Sequence, residues 1–228
     1  MRLLPLAIAL ASWALAAGPA EGPPPPEFTA ALKNFQSDAP RGWSFVQTTV
    51  AEGKSLVERS DAARPEFDRW SLLEKDGRTP QPGELKDYAD ARSRRSRSGT
   101  APRITEQFNL ATVEVLNETL ERVTYRCALR PGEARDNVAA FLRATTIVHK
   151  PTQTIESLKI SNTGEFNPTI GVKITEMKTV MTYSRPTAET PSLPQIVTTR
   201  VRGRAFWMKS FDEEMTVTFS DYVFVGKR

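Results

Sequence analysis

The chain has 228 residues, 39% of them hydrophobic, which is enough to bury the core of one domain. Its net charge is only +4, and so small an excess of cations does not indicate a nucleic-acid partner. One Cys and one His in the whole sequence exclude an internal disulfide and a zinc site built from His and Cys ligands.

Residues 1–20 have the three parts of a secretory signal peptide. Arg2 supplies the basic start, an apolar run extends to Ala17, and small residues place the cleavage site between Ala16 and Ala20. The apolar run is shorter than the roughly 20 residues that span a bilayer, so we expect no stable membrane span after cleavage. The sequence therefore predicts a Sec-exported protein that is periplasmic or secreted.

A proline-rich spacer at residues 21–26 leads into a predicted helix at residues 27–38. The helix prediction depends on apolar residues at positions i, i+3, i+4 and i+7, which share one face of a helix. Pro40 then ends the segment. The predicted face consists of Phe28, Ala31, Leu32 and Phe35.

Three strands are predicted next, at Trp43–Val50, Lys54–Ser60 and Phe67–Glu74. Glu52-Gly53 is the predicted turn between the first two strands. Asp76-Gly77 is a hairpin signal, because a type I′ turn needs positive φ at both central residues.

A polar insert follows at residues 79–99, with a predicted helix at Glu84–Arg95 that ends in a basic loop. In an exported protein the polyanions within reach are lipid headgroups rather than nucleic acid. We therefore expect four arginines to contact an anionic headgroup or a partner protein, with a merely solvated loop as the alternative. They are Arg92, Arg94, Arg95 and Arg97.

From residue 112 onward the pattern is almost entirely β, with one short helical turn at residues 136–142. Near Glu176 the apolar residues change from one face of their strand to the other, which predicts a bulge that bends the strand. The basic segment Arg200–Arg204 is either a phosphate contact or a polar strand face. The predicted strands are Thr112–Leu116, Leu120–Leu129, Leu142–Val148, Thr154–Ile160, Ile170–Tyr183, Ile196–Met208 and Met215–Val225.

Together these elements predict a mainly β fold of the α+β class. Long antiparallel strands with bulges curl, so we expect a strongly curved sheet or open half-barrel. The N-terminal helix and the helix of the insert are expected to pack over this sheet. Residues 27–228 are predicted to form a single domain.

The sequence offers no catalytic constellation, so we predict a protein that is not an enzyme. His149 is expected in a solvated hairpin turn without a nucleophile beside it, and Cys127 is expected to be a buried small apolar residue. The acidic run Asp212–Glu214 lacks the spacing of a calcium loop and is expected in a turn before the last strand. No metal and no cofactor are predicted.

Aromatic and apolar side chains are the remaining resource for function. A curved sheet closed by the first helix leaves a slot in which each buried CH₂ of a guest gains about 0.8 kcal/mol. The alternative for each of these residues is an ordinary place in the core. The candidate lining residues are Phe28, Leu32, Phe35, Trp43, Phe45, Trp70, Phe108, Phe206 and Trp207.

Several short motifs resemble those of the LolA/LolB-like periplasmic lipoprotein carriers. The strand opening at Trp43 is one, and Arg64-Pro65 followed by Phe67 and Trp70 is similar to an "RP-x-x-F-x-W" signature with one extra residue. Phe166-Asn167-Pro168 lies among the expected later strands. The resemblance implies an open β half-barrel with helices over its mouth, which binds acyl chains without catalysis or a cofactor.

Two functions remain open at this point. The first is a non-enzymatic periplasmic carrier of a lipid or acylated ligand, with lipoproteins as one such ligand. The second is a structural or interaction protein of the cell envelope with a filled core, which docks an envelope protein through its basic loop or an exposed strand edge.

Overall fold

The computed structural model describes residues 23–35, 40–96, 104–130, 138–206 and 209–226. The predicted signal peptide lies outside these ranges. Within them the chain forms two α-helices and eleven strands, with three short 3-10 turns. The elements are α1 (Pro26–Asn34), β1 (Trp43–Ala51), β2 (Lys54–Ser60), β3 (Trp70–Lys75), α2 (Pro82–Ser96), β4 (Phe108–Glu118), β5 (Arg122–Leu129), β6 (Leu142–His149), β7 (Thr154–Asn162), β8 (Phe166–Thr169), β9 (Val172–Tyr183), β10 (Pro194–Ala205) and β11 (Lys209–Phe224).

All eleven strands belong to one antiparallel sheet in the order β3-β2-β1-β11-β10-β9-β7-β6-β5-β4, with β8 paired to β9 off this path. The sheet is open, because β3 and β4 do not pair with each other. The prediction of a mainly β fold with a curved sheet and two helices is confirmed.

Both helices pack on the same face of the sheet, which we call the inner face. Directly opposed residues of antiparallel strands point to the same side, so a series of such pairs traces one face across the sheet. At one end of this series, Phe28 of α1 contacts Tyr125. At the other end, Tyr88 of α2 contacts Glu58, which is two residues from Leu56. The pairs are Tyr125 with Thr146, Thr146 with Leu158, Leu158 with Met181, Met181 with Val197, Val197 with Val217, Val217 with Thr49, and Thr49 with Leu56.

Several predicted element ends differ from the structure. The first helix ends at Asn34 instead of residue 38, because Phe35 is already extended with ψ 133°. The third strand begins at Trp70 and not at Phe67, because residues 66–68 form a 3-10 turn in which the Asp68 N–H donates to the Pro65 carbonyl at 3.0 Å.

The Asp76-Gly77 turn has φ values of 52° and 73°, and Lys75 and Arg78 exchange two backbone hydrogen bonds across it. These features are those of the predicted type I′ turn. No strand follows, however: the chain continues into α2, so the turn ends the first three strands and starts the insert.

The predicted bulge lies at Thr175. Arg202 of β10 faces Glu176, while its neighbour Gly203 faces Ile174, so Thr175 is the extra residue of β9. A Cβ on Gly203 would lie only 2.3 Å from the Lys173 carbonyl oxygen. Glycine is therefore required where the bulge brings the two backbones together.

Candidate functional site

The inner face beneath α1 is a closely packed core. Phe28 and Ala31 are completely buried, and the Phe28 ring lies 4.7 Å from the ring of Tyr125. Phe108 from β4 is also completely buried in the same cluster. Phe28 and Phe108 therefore fill the space between helix and sheet where the sequence predicted a slot.

The other two predicted residues of α1 lie at the border of this core. Leu32 and Phe35 are half-buried, and the Phe35 ring meets the ring of Tyr183 edge-on at 5.0 Å. Phe35, directly after α1, therefore lies on the side of the helix next to β9.

A second group of rings lies at the opposite end of the inner face, and we call it the aromatic cluster. Phe45 is its buried centre and lies 5.5 Å from Trp70 and 5.6 Å from Tyr222. Trp43 lies 5.3 Å from Phe224 at the edge of the group. The cluster consists of Trp43, Phe45, Trp70, Phe219, Tyr222 and Phe224.

A bulge in β11 places Tyr222 in this cluster. Ser220 faces Val46 and Val223 faces Ser44, so Asp221 and Tyr222 together oppose a single residue of β1. Asp221 takes φ 52° to accommodate the extra residue. The Tyr222 hydroxyl donates to the Pro194 carbonyl at 2.7 Å, and burial raises the pKa of Tyr222.

Helix α2 is fixed to the sheet by a buried charge beside the aromatic cluster. The Glu58 carboxylate is 5% exposed and accepts hydrogen bonds from the Tyr88 hydroxyl at 2.8 Å and from Arg92. The Arg92 guanidinium also lies over the Trp70 ring, 4.2 Å from its centroid. Burial raises the pKa of Tyr88 to about 12, with the Glu58 charge acting in the same direction.

Arg92 is therefore the one predicted headgroup-contact residue with a described side chain, and that side chain is committed to Glu58 and Trp70. Its pKa is raised: desolvation acts to lower it, but the hydrogen bonds and charges of Glu58 and Tyr88 outweigh that effect. The side chains of Arg94 and Arg95 lie outside the described part of the chain, as does all of Arg97.

The start of α2 is anchored to the preceding turn. The Gln81 N–H donates to Glu84 at 2.9 Å, an arrangement in which an acidic residue of the first turn satisfies a free backbone donor. Arg78 holds the same carboxylate with two hydrogen bonds, of 2.9 and 2.8 Å, and Lys75 lies 2.9 Å from it. These contacts, the Arg78 hydrogen bond above all, hold the pKa of Glu84 well below its usual range.

Between the two helices, uncharged residues on the inner face of β9, β10 and β11 form a surface that we call the central strip, and Glu213 lies at its border opposite Val201. Most of its residues are half-buried; Val217 is 9% and Met215 37% exposed. Thr179 and Thr199 face each other on neighbouring strands with their hydroxyl oxygens 3.2 Å apart, so one hydroxyl donates a hydrogen bond to the other. The strip consists of Met177, Thr179, Met181, Val197, Thr199, Val201, Met215 and Val217.

The outer face of the same three strands is a network of ion pairs. Arg200 binds Asp212 with two hydrogen bonds of 3.0 Å, and Arg202 binds Asp212 at 2.9 Å and Glu176 at 3.1 Å. The Arg200 hydrogen bond is the main reason why the pKa of Asp212 is lowered. Two of the three arginines of the segment Arg200–Arg204 are thus paired, and they lie on the outer face, whereas Glu213 lies opposite Val201 on the inner face.

Two further candidates lie at the far end of β10. Phe206 occupies the turn after this strand with φ 49°, is 72% exposed, and packs its ring against Gly171. It therefore lies at the periphery and not over the central strip. Trp207 lies outside the described residues.

Two expectations about polar residues are wrong. His149 is buried at the end of β6 and not solvated, because it pairs with Thr154 and its Nδ1 lies 2.8 Å from the Thr152 hydroxyl. Asp212–Glu214 lie within β11 rather than in a turn, since Asp212 faces Arg202 across the ladder.

Cys127 is buried under α1, and desolvation raises its pKa to about 12. A thiol in this state is neutral at physiological pH and is a poor nucleophile. Among the described residues, no group of three His, Cys, Asp or Glu side chains is placed to hold a metal ion.

The sequence reasoning identified the aromatic residues but missed the central strip. The sequence of β10 indicates the strip by an alternating pattern. Val197, Thr199 and Val201 are uncharged, whereas the alternate positions Arg200 and Arg202 are charged. Tyr222 was missed because its position depends on the β11 bulge, which the local sequence pattern does not reveal.

No protein-family model, curated protein or solved structure matches this chain significantly. None of the helices in the described part of the chain has the length and apolar character needed to cross a bilayer.

Proposed function

We propose that this protein is a non-enzymatic, exported carrier that binds an acyl chain of a lipid or acylated ligand over the central strip. The observation that supports it most directly is the strip itself: eight uncharged residues that neither α1 nor α2 seals. A partly exposed and mostly apolar surface of this kind is characteristic of binding sites. The predicted signal peptide at residues 1–20 supports the export part of the proposal.

The dimensions of the strip suit a single chain of a lipid. Three neighbouring strands span about 10 Å, and the five residues from Met177 to Met181 extend about 13 Å along β9. Each methylene buried there contributes about 0.8 kcal/mol, so about ten methylenes supply enough gross free energy to offset the cost of association.

The chemistry of the strip also favours an acyl chain over a polar ligand. Its two threonine hydroxyls hydrogen-bond to each other, which leaves fewer polar groups for a sugar or a peptide. Met177 and Met181 have unbranched, polarisable side chains that adapt to a flexible guest. Leu32 and Phe35 border the strip on one side, and Phe219 of the aromatic cluster borders it on the other.

A pair of neighbouring substitutions tests this proposal. Val197→Lys places a cation in the middle of the strip, whereas Ile196→Lys places the same cation on the outer face, where Ile196 is 42% exposed. Titration with a fluorescent fatty acid should show binding to the wild type and to Ile196→Lys, and at least about tenfold weaker binding to Val197→Lys.

Circular dichroism and thermal unfolding of the same three proteins provide the control for folding. The carrier proposal fails if the wild type does not bind the fatty acid, or if both lysine variants bind it equally well.

The packed core beneath α1 favours a second candidate, an envelope protein that acts through protein–protein contacts. Such a protein needs no bound ligand, and the buried rings of Phe28 and Phe108 leave no room for one under α1. Native mass spectrometry of protein isolated from the periplasm separates the two: a co-purified lipid supports the carrier, and the apo mass alone supports the interaction protein. N-terminal sequencing of the same sample tests for cleavage between Ala16 and Ala20.

A further inference from the structure

We propose that the outer face of β5, β6 and β7 carries a separate binding site for a phosphate group. The site is a half-open hollow of about 400 Å³ with a polar lining. Arg143 and Lys159 supply its charge, and Thr145 and Ser161 supply hydroxyls.

The strand register brings these four residues together. Arg143 faces Ser161 and Thr145 faces Lys159 across the β6–β7 ladder. Diagonal neighbours on one face of a sheet lie about 7–8 Å apart, so the two cations can approach one oxyanion from opposite sides. All four side chains are half-buried, which gives the hollow a floor and walls rather than an open charged surface.

The hollow has an uncompensated positive charge. Arg126 also lines it, but its charge is balanced by Glu114 at 2.5 Å. Within the described part of the chain, neither Arg143 nor Lys159 forms an ion pair. This distinguishes them from Arg200 and Arg202 on the same outer face, which are paired with acids.

Arg143 is held in position by the backbone. Its Nη1 donates to the carbonyl oxygens of Ala140 at 3.1 Å and Leu142 at 2.8 Å. The remaining donors of the guanidinium, Nε–H and Nη2–H₂, lie along another edge and form no hydrogen bond with the described residues, so they can bind a ligand. A planar fork of this kind matches two oxygens of a phosphate, and the compact Lys159 ammonium adds a point charge.

Two unpaired cations and two hydroxyls match a dianionic phosphate monoester better than a carboxylate. The phosphate can come from a soluble metabolite or from a phosphatidic-acid headgroup, since both present the same group. The site is on the opposite face of the sheet from the central strip, so it does not depend on the proposed carrier function.

The test uses inorganic phosphate as the soluble probe and phosphatidylcholine vesicles containing phosphatidic acid as the lipid probe. Lys159→Gln removes one cation of the site, and Lys209→Gln makes the same charge change at an exposed position, the first residue of β11. NMR titration should show saturable shifts around Ser161 that weaken at least about tenfold in Lys159→Gln and stay unchanged in Lys209→Gln. Val197→Lys should bind phosphate as the wild type does.

The two probes identify the source. Saturable binding of inorganic phosphate without vesicle binding indicates a soluble ligand; vesicle co-sedimentation that Lys159→Gln abolishes indicates a lipid headgroup. The proposal is overturned if neither probe binds, or if Lys159→Gln and Lys209→Gln weaken binding equally, because the effect is then one of net charge alone.

Discussion

The two helices lie on the same face of one sheet but are held there by different forces. Helix α1 is held by burial: Phe28 and Ala31 have no exposed surface and belong to a continuous hydrophobic core. Helix α2 is held by charge and hydrogen bonds, with Glu58 buried under Tyr88 and Arg92 and its first turn tied to Arg78.

This difference predicts which helix determines the width of the central strip. Burial of apolar surface is non-directional and tolerates small shifts, whereas a buried carboxylate fixes the position of its partners. The central strip lies between a helix packed on the core and a helix pinned by polar contacts. We therefore expect the width of the central strip to depend mainly on the contacts of α2, because these contacts fix the position of the helix on that side of the strip.

The largest expected effect is at Phe28. Phe28→Ala removes a fully buried ring and leaves a cavity against Tyr125, which should lower the free energy of unfolding by about 3–5 kcal/mol. Urea denaturation followed by tryptophan fluorescence measures it. Phe67→Ala is the matched control, because Phe67 is 86% exposed and should change stability by less than about 0.5 kcal/mol. Similar losses in both variants would contradict the assignment of Phe28 to the core.

A smaller loss is expected at Glu58. Glu58→Gln removes the negative charge that faces the Arg92 guanidinium, at a cost of about 2 kcal/mol after discounting for the partial exposure of Arg92. Glu74→Gln makes the same change at an exposed position of β3 and should be close to neutral. Equal stabilities for Glu58→Gln and Glu74→Gln, measured by urea denaturation, would show that the charge does not fix α2.

The smallest effect is expected at Glu84 and depends on pH. Its pKa in the folded protein lies below the ordinary value of 4.5, so its stabilising contribution is complete above that pH and is lost as the pH falls toward the folded-state value. The wild type should unfold at a higher temperature than Glu84→Gln at about pH 6, and the difference should narrow toward about pH 3. A gap that stays constant over this range would argue against ionisation as its cause.

The contrast between the helices also shows how far the sequence predicts this fold. The face of α1 was predictable because Phe28, Ala31 and Leu32 follow helical spacing and then pack as apolar residues do. The helix of the insert was predicted too, but its partner was not. Glu58 is one charged residue among many in strand sequence, and only the β2 register shows that it points inward beneath Arg92.

The candidate site divides in the same way. The aromatic residues of β1 and β3 were predictable as a group, since aromatic side chains in strands seldom stay fully exposed. The separation of these residues from Phe28 and Phe108 was not predictable, because it follows from the strand order. In that order β11, β10 and β9 lie between β1 and β7. Which strands become neighbours is determined by long-range pairing, and local patterns contain little information about it.

That strand order also bears on how the chain reaches its native state. β1 lies next to β11, which is the last strand along the chain. The second edge of β1 therefore stays unpaired until β11 has been synthesised. Closing so long a loop is entropically costly and makes folding slow for a chain of this size. A chain still emerging from the ribosome therefore keeps the β1–β3 segment detached from the rest of the sheet until β11 is available to pair with β1.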